Sequence, residues 1–329
     1  MDDTTLLKLH ALARAAAHPI GPDRDGPCAC PVGLLADRDD GTVVRHGGLV
    51  LKAHAPDSDT AELRARVALA GLPALEGVLL PPVAGPEALP DGRPLTVWPF
   101  GAPVDPEDPD AAPWEEAGRL LALLHRTPAP PGLPSMRARV KVALAVERMR
   151  RTAPDHPAAA TVLRAWATLP AGDTGQGRPA LCHGDFHLGQ LVRPGGGPCW
   201  RLIDVDDLGV GDPAWDLARP AAWFAAGLLP PEVWARFLGA YETACGPATA
   251  APASVGPAGV GPSTAGPAPA DPWARLDVPA RALTVQTAAL AVAKSTAEGR
   301  PLDEVEVVMI DTCARIASLR TELARPASP

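Results

Sequence analysis

Three oxygen-bearing side chains, Asp185, Gln190 and Asp204, fall within a stretch of turn signals and short apolar runs between Leu181 and Arg219. His183 and Gly184 precede Asp185, and Gln190 follows it by five residues. Leu191-Val192 and Trp200 to Ile203 then flank a Pro-Gly-Gly-Gly-Pro break. This order predicts a loop, a β-hairpin, and an aspartate delivered at the end of the second strand. The three groups suit phosphoryl transfer, where a protein mainly positions the reactants and neutralises charge. A carboxylate at Asp185 can orient an acceptor hydroxyl and take its proton. The amide oxygen of Gln190 and the carboxylate of Asp204 are hard donors of the kind Mg²⁺ takes.

Such a loop needs a scaffold, and the chain before it supplies one. Residues 4–17 have helix-forming composition with apolar positions at helical spacing. Val32 to Ala36, Thr42 to Arg45 and Leu49 to Lys52, separated by polar and glycine turns, predict a three-stranded antiparallel meander. Lys52 is one of only four lysines in a chain that otherwise uses arginine, and it ends an apolar strand. Its compact ammonium suits phosphate oxygens. The turn from Asp37 to Gly41 is a weaker candidate for phosphate contact through its amides. Val78 to Leu80 and Leu95 to Trp98 are expected to complete the sheet, with 84–94 as a proline- and glycine-rich loop. Helices are expected over 115–126, 135–151, 157–168, 215–229, 232–244, 273–299 and 301–323. The first carries acidic residues at its start and basic ones at its end, in accord with its dipole. His125 at that end reads as structural, and Asp216 as an acceptor that braces the loop. Asp206 and Asp207 rank below Asp204 as ligands, because three carboxylates around one Mg²⁺ repel one another.

The totals narrow the choice of partners. With 329 residues, two lobes or domains are expected. A net charge of −8 offers no basic stripe for nucleic acid and is compatible with a cationic small-molecule ligand. No apolar run is long enough to span a bilayer, and the start of the chain lacks the pattern of a signal peptide, so a cytoplasmic, membrane-free protein is expected. Cys28 and Cys30 have no matching Cys or His pair nearby in sequence, so no zinc site is expected and the six cysteines read as thiols. Residues 246–271, almost all Gly, Pro, Ala, Ser and Thr, read as a flexible insertion.

His183-Gly184-Asp185, Ile203-Asp204 and Gly211-Asp212-Pro213-Ala214-Trp215-Asp216-Leu217-Ala218 resemble the aminoglycoside phosphotransferase family of the protein-kinase-like superfamily. Gln190 stands where the common pattern has Asn, and His187-Leu188-Gly189-Gln190 is similar to the loop of maltokinase-like sugar kinases. The resemblance implies an α+β, two-lobed, protein-kinase-like fold. Its small antiparallel-sheet lobe would span 1–101 and its mainly helical lobe 102–329. It also implies that Lys52 meets the phosphates of ATP and pairs with a helical glutamate, for which Glu62 is the candidate. Trp98 to Gly101 fall where the family links its lobes, so Trp98 and Phe100 are candidates for the adenine site. They read equally well as core aromatics. The expected activity is ATP- and Mg²⁺-dependent phosphorylation of a hydroxyl on an amino-bearing molecule, an aminoglycoside-like antibiotic or an aminosugar such as glucosamine. A neutral sugar kinase and a non-catalytic pseudokinase scaffold remain as alternatives.

Overall fold

The computed structural model describes residues 3–19, 28–38, 40–170, 178–246 and 271–323. The insertion expected at 246–271 therefore lies outside the described residues except at its two ends. The chain divides into two compact units, Met1–Met136 with Ala180–Gly211, and Arg137–Pro179 with Asp212–Pro329. Strand pairing joins Gly101–Pro103 to the hairpin bearing Asp204 within the first unit.

In the first unit, α1 (Asp3–Ala17) lays Leu9 and Ala13 on a sheet whose facing residues are Val44, Leu51, Ala53, Leu89 and Leu95. The sheet is antiparallel, built from β1 (Val32–Arg38), β2 (Gly41–His46), β3 (Leu49–His54), β4 (Ala84–Ala88) and β5 (Pro94–Pro99) in the order β1-β2-β3-β5-β4. Side chains alternate across a strand, so β3 gives Leu51 and Ala53 to α1 and leaves Lys52 on the opposite face. Between β3 and β4 runs α2 (Thr60–Ala70), started by Asp59, whose carboxylate accepts from the N–H groups of Ala61 and Glu62.

Two strand expectations need correction. Residues 84–88 form an edge strand rather than loop, with Pro86 inside a register irregularity between Ala84 and Glu87, where no ladder N–H is demanded. Val78 to Leu80 do not join this sheet. Leu79 bridges Leu202 in parallel and the Leu80 N–H donates to the Leu202 carbonyl over 2.9 Å, while Pro81 and Pro82 lack the donors to continue a strand.

The rest of the unit comprises β6 (Gly101–Pro103), α3 (Trp114–Arg126), β7 (Ala180–Cys182), β8 (Leu191–Pro194), β9 (Arg201–Leu202) and β10 (Gly209–Gly211). β6, β8 and β9 form a second sheet, and β7 pairs with β10. Gly101 is required where β6 meets β8, since a Cβ there would fall 2.5 Å from a methyl of Val192. Cys28 and Cys30 do have histidine partners after folding. His18 at the end of α1 and His46 at the end of β2 stand beside them.

The second unit is helical, with α4 (Ala138–Thr152), α5 (Ala159–Trp166), α6 (Ala214–Ala225), α7 (Pro231–Cys245), α8 (Trp273–Glu298) and α9 (Glu304–Leu323). α8 packs against α4, α5, α6 and α9 and buries Val285, Ala288, Ala289 and Val292 among them. Trp234 stacks on Phe224 with ring centres 5.6 Å apart and touches Trp273 at 6.1 Å. Among the described residues, no helix is long and apolar enough to cross a membrane.

Candidate active site

The face of β3 turned away from α1 meets the end of the β8–β9 hairpin. Lys52 Nζ lies 2.6 Å from Asp204 Oδ1 and 2.9 Å from Asp206 Oδ2. Burial alone would push the Lys52 ammonium down, but the two carboxylates hold it well above the ordinary lysine value. For Asp206, burial would raise the carboxyl. The Lys52 ammonium and the hydrogen-bonded His54 ring instead hold it well below the usual carboxylate range. Charge is therefore fixed at this point, with one cation set between two anions in a largely buried place.

A directional string of hydrogen bonds supports Asp206. Trp98 Nε1–H donates to Thr96 Oγ1 over 2.9 Å, and Thr96 Oγ1 lies 2.8 Å from His54 Nε2. His54 Nδ1 is 3.1 Å from Asp206 Oδ2. An ionised carboxylate only accepts, so Nδ1 carries a proton and donates to Asp206, while Nε2 shares the second bond with the Thr96 hydroxyl. The threonine oxygen in turn accepts from the indole. Thr96 and His54 are both fully buried, and each group in the string is satisfied.

Asp204 is the one non-glycine residue with positive φ among the described residues, at φ 64° and ψ 77°. This conformation is uncommon but most accessible to Asp and Asn, and such backbone costs cluster at working sites. The turn at Val205–Asp207 just after it is tied to α2 by Arg66, whose Nε–H donates to the Leu208 carbonyl over 2.8 Å. Arg66 also pairs with Glu62 at 2.9 Å. The expected Lys52–Glu62 pair is thus not formed. Lys52 is taken by the two aspartates, and the Glu62 carboxylate reaches the arginine one turn along its own helix.

Gln190 closes a 3-10 turn begun by His187, whose Nδ1 accepts from the Gly189 N–H. The Gln190 carbonyl accepts from the Ile203 N–H, and its side-chain Nε2 lies 3.3 Å from Asp204 Oδ2. His183 is fully buried. Its Nε2–H donates to the Ile203 carbonyl over 2.8 Å, and its Nδ1 accepts from the Asp185 N–H at 3.4 Å. The histidine therefore ties the loop to the strand that delivers Asp204. Gly184, at φ 83°, lies against Asp207, whose carbonyl oxygen occupies the space a Cβ would need.

These groups line one end of a cavity of about 380 Å³ whose other walls are apolar. Lys52, Gln190, Asp204 and Asp206 form the polar end, and Trp98, Phe100, Leu35, Val50 and Val192 contribute elsewhere. The guanidinium of Arg45 sits over the Phe100 ring, 3.4 Å from its centre. Asp185 is half-buried and, like Glu62, is not part of the lining. His54, Thr96 and Arg66 are the supporting residues that sequence reasoning missed. For His54 a signal existed, since it lies two residues beyond Lys52 on one strand and so shares its face. The carboxylates of Asp204 and Asp206, already placed around a positive charge, are hard oxygen donors that fit a Mg²⁺ ion, and Gln190, whose amide nitrogen faces Asp204, would add its oxygen on turning the amide over.

The model of the Phosphotransferase enzyme family matches residues 34–256, more than half of the chain. The chain belongs to that family. It is accordingly a phosphotransferase with an alcohol group as acceptor, and its antiparallel sheet with a helical second part is the protein-kinase-like α+β fold that the sequence motifs implied. No curated protein sequence matches this phosphotransferase. Solved structures share its fold at low identity. An amicoumacin kinase in complex with AMP-PNP, Ca²⁺ and its ligand has a TM-score of 0.57 at 16% identity, covering 98% of this chain and 94% of that one. A choline/ethanolamine kinase family protein from Mesorhizobium loti has a TM-score of 0.53 at 17% identity, with coverage of 98% and 96%. The macrolide 2′-phosphotransferase of Brachybacterium faecium has a TM-score of 0.51 at 19% identity, with coverage of 98% and 100%.

Proposed function

We propose that this phosphotransferase moves the terminal phosphoryl group of ATP to a hydroxyl of a small, amino-bearing acceptor in the cytoplasm, where ATP is held. The observation that carries the nucleotide half of this reading is the cavity with Trp98 and Phe100 in its walls and Lys52, Gln190 and Asp204 at its polar end. An aromatic, apolar slot suits a purine base, and a buried lysine suits phosphate oxygens. Trp98 and Phe100 border the base, and Lys52 meets the phosphates. Asp204 and Gln190 hold Mg²⁺, which when bound neutralises the charge of the phosphates. Asp206 and His54 keep Lys52 charged and aimed. Asp185 takes the proton of the acceptor hydroxyl, and His183 fixes the loop from which Asp185 projects. Glu62 acts through Arg66 on the turn after Asp204, not on Lys52.

The acceptor class rests on the motif resemblance, the acidic balance of the chain and the compounds after which the fold neighbours are named, choline and ethanolamine among them. A neutral sugar is the second reading, favoured by Gln190 in the metal-side position. The test is ADP release by purified protein with Mg-ATP and, in turn, aminoglycosides, aminosugars and neutral sugars. Turnover on an amino-bearing compound supports the first reading, and turnover confined to neutral sugars supports the second. Failure of Mg-ATP to raise the melting temperature at millimolar concentration would overturn both and favour a scaffold.

A further inference from the structure

Outside the nucleotide cavity, a cluster of four side chains among the described residues has the chemistry of a metal site. His18, Cys28, Cys30 and His46 bring two imidazole nitrogens and two sulfurs within 4.8 Å of one another. Cys28 Sγ lies 3.2 Å from His46 Nε2, and Cys30 Sγ lies 3.4 Å from His18 Nε2. The two rings meet edge to face, 5.3 Å between centres. Sulfur and nitrogen bound to one tetrahedral zinc ion stand about 3.5 Å apart, given Zn–S near 2.3 Å and Zn–N near 2.0–2.1 Å. Two sulfur–nitrogen pairs are thus already at close to ligand spacing, and all four donors lie within 4.8 Å of one another.

Their origin in three separate pieces of chain gives the cluster a purpose. His18 follows the last turn of α1, with its N–H bonded to the Arg14 carbonyl. Cys28 and Cys30 sit on the segment leading into β1, which is anchored by the bond from the Gly47 N–H to the Pro31 carbonyl. His46, 4% exposed, ends β2 and pairs in register with Val32. The Cys-x-Cys spacing is one residue tighter than the usual structural zinc pair, and an extended segment meets it by pointing alternate residues to one side. Two thiolates cancel the charge of a divalent ion, so the site is neutral beside Arg14. A mixed sulfur and nitrogen set in tetrahedral array selects zinc over Mg²⁺ or Ca²⁺.

We propose that His18, Cys28, Cys30 and His46 form a structural zinc site that fastens the end of α1 and the lead into β1 to the sheet whose other face carries Lys52. The site is separate from the phosphoryl-transfer chemistry, and its test does not depend on turnover. Tag-free, full-length protein purified without chelator is analysed for bound metal, alone and as the Cys28→Ser/Cys30→Ser variant, with Cys199→Ser as control. About one zinc per chain is expected in the parent and in the control, and a loss of at least ten-fold in the double variant. Because misfolding of the double variant would also remove zinc, the parent is stripped of metal and titrated with Co²⁺. Intense visible bands of tetrahedral cobalt, with thiolate-to-metal charge transfer in the near ultraviolet, are expected to saturate at one equivalent and vanish on adding zinc. A weak, octahedral spectrum without the thiolate band, or equal zinc in parent and double variant, would overturn the proposal.

Discussion

Replacing Asp206 by alanine removes one of the two carboxylates flanking Lys52 and the acceptor of His54 Nδ1–H. At 2.9 Å, the Lys52–Asp206 attraction is about 6 kcal/mol for an effective dielectric constant of ~20. Desolvation of both partners, whose side chains are 17% and 27% exposed, offsets much of that. Lys52 keeps Asp204 at 2.6 Å, so its loss stays below the ~3–5 kcal/mol of a fully orphaned buried charge. The unmet histidine donor adds about 1 kcal/mol. Together these give a destabilisation of about 3 kcal/mol, to be read from urea unfolding followed by tryptophan fluorescence. The pH profile is the sharper part. The folded-state carboxyl of Asp206 is lowered, so its contribution is complete above the ordinary aspartate value of about 3.9 and is lost as pH falls through the lower folded value. The folded-state ammonium of Lys52 is raised, so its contribution is complete below about 10.4 and is lost as pH rises through the higher folded value. For these two groups the gap between parent and variant is undiminished from about pH 5 to pH 9 and narrows only outside that window. A gap under ~0.5 kcal/mol at pH 8 would refute this charge cluster.

Glu62→Ala should cost about 1–3 kcal/mol, because it leaves the buried Arg66 guanidinium without its carboxylate, and leave the KM for ATP within about two-fold of the parent. Lys52→Met should lower kcat/KM by at least ~100-fold, equivalent to about 2.7 kcal/mol, and equal effects of the two changes in steady-state assays would restore Glu62 as the partner of Lys52. Asp185→Ala should abolish turnover while keeping the thermal shift with Mg-ATP, whereas Asp204→Ala should lose both, and a matched loss in each variant would argue against the separate roles. Gly184→Ala combines a left-handed backbone with a Cβ placed on the Asp207 carbonyl, for a cost of roughly 2–4 kcal/mol, checked by the same urea titration.

Much of the working stretch could be read before folding because its signals are local. The turn around Gly184, the hairpin break and the aspartate after Ile203 are set by neighbours within a few residues, and so are the three strands of the meander and the helix that bears Leu120 and Leu124. What could not be read were the pairings that join distant parts. Lys52 and Asp204 are separated by 152 positions, and nothing near either residue announces the other. The glutamate on the very next helix was the nearer guess for Lys52, and Arg66 had already claimed it. Leu79 reads as sheet by composition, yet its partner is Leu202, because the prolines after Leu80 stop any longer ladder. The cysteines at 28 and 30 had no histidine close in sequence, and only the packing of α1 on the sheet brings His18 and His46 to them.

The Thr96 hydroxyl holds two neighbours at once, the His54 ring and the Trp98 indole. With Asp206 on its other nitrogen, the imidazole is gripped from both sides, and His54 is thereby a strut between the sheet and the turn after Asp204. Valine at position 96, nearly the same shape without the hydroxyl, would release the ring and the Trp98 indole together, turning two side chains loose with one atom exchanged.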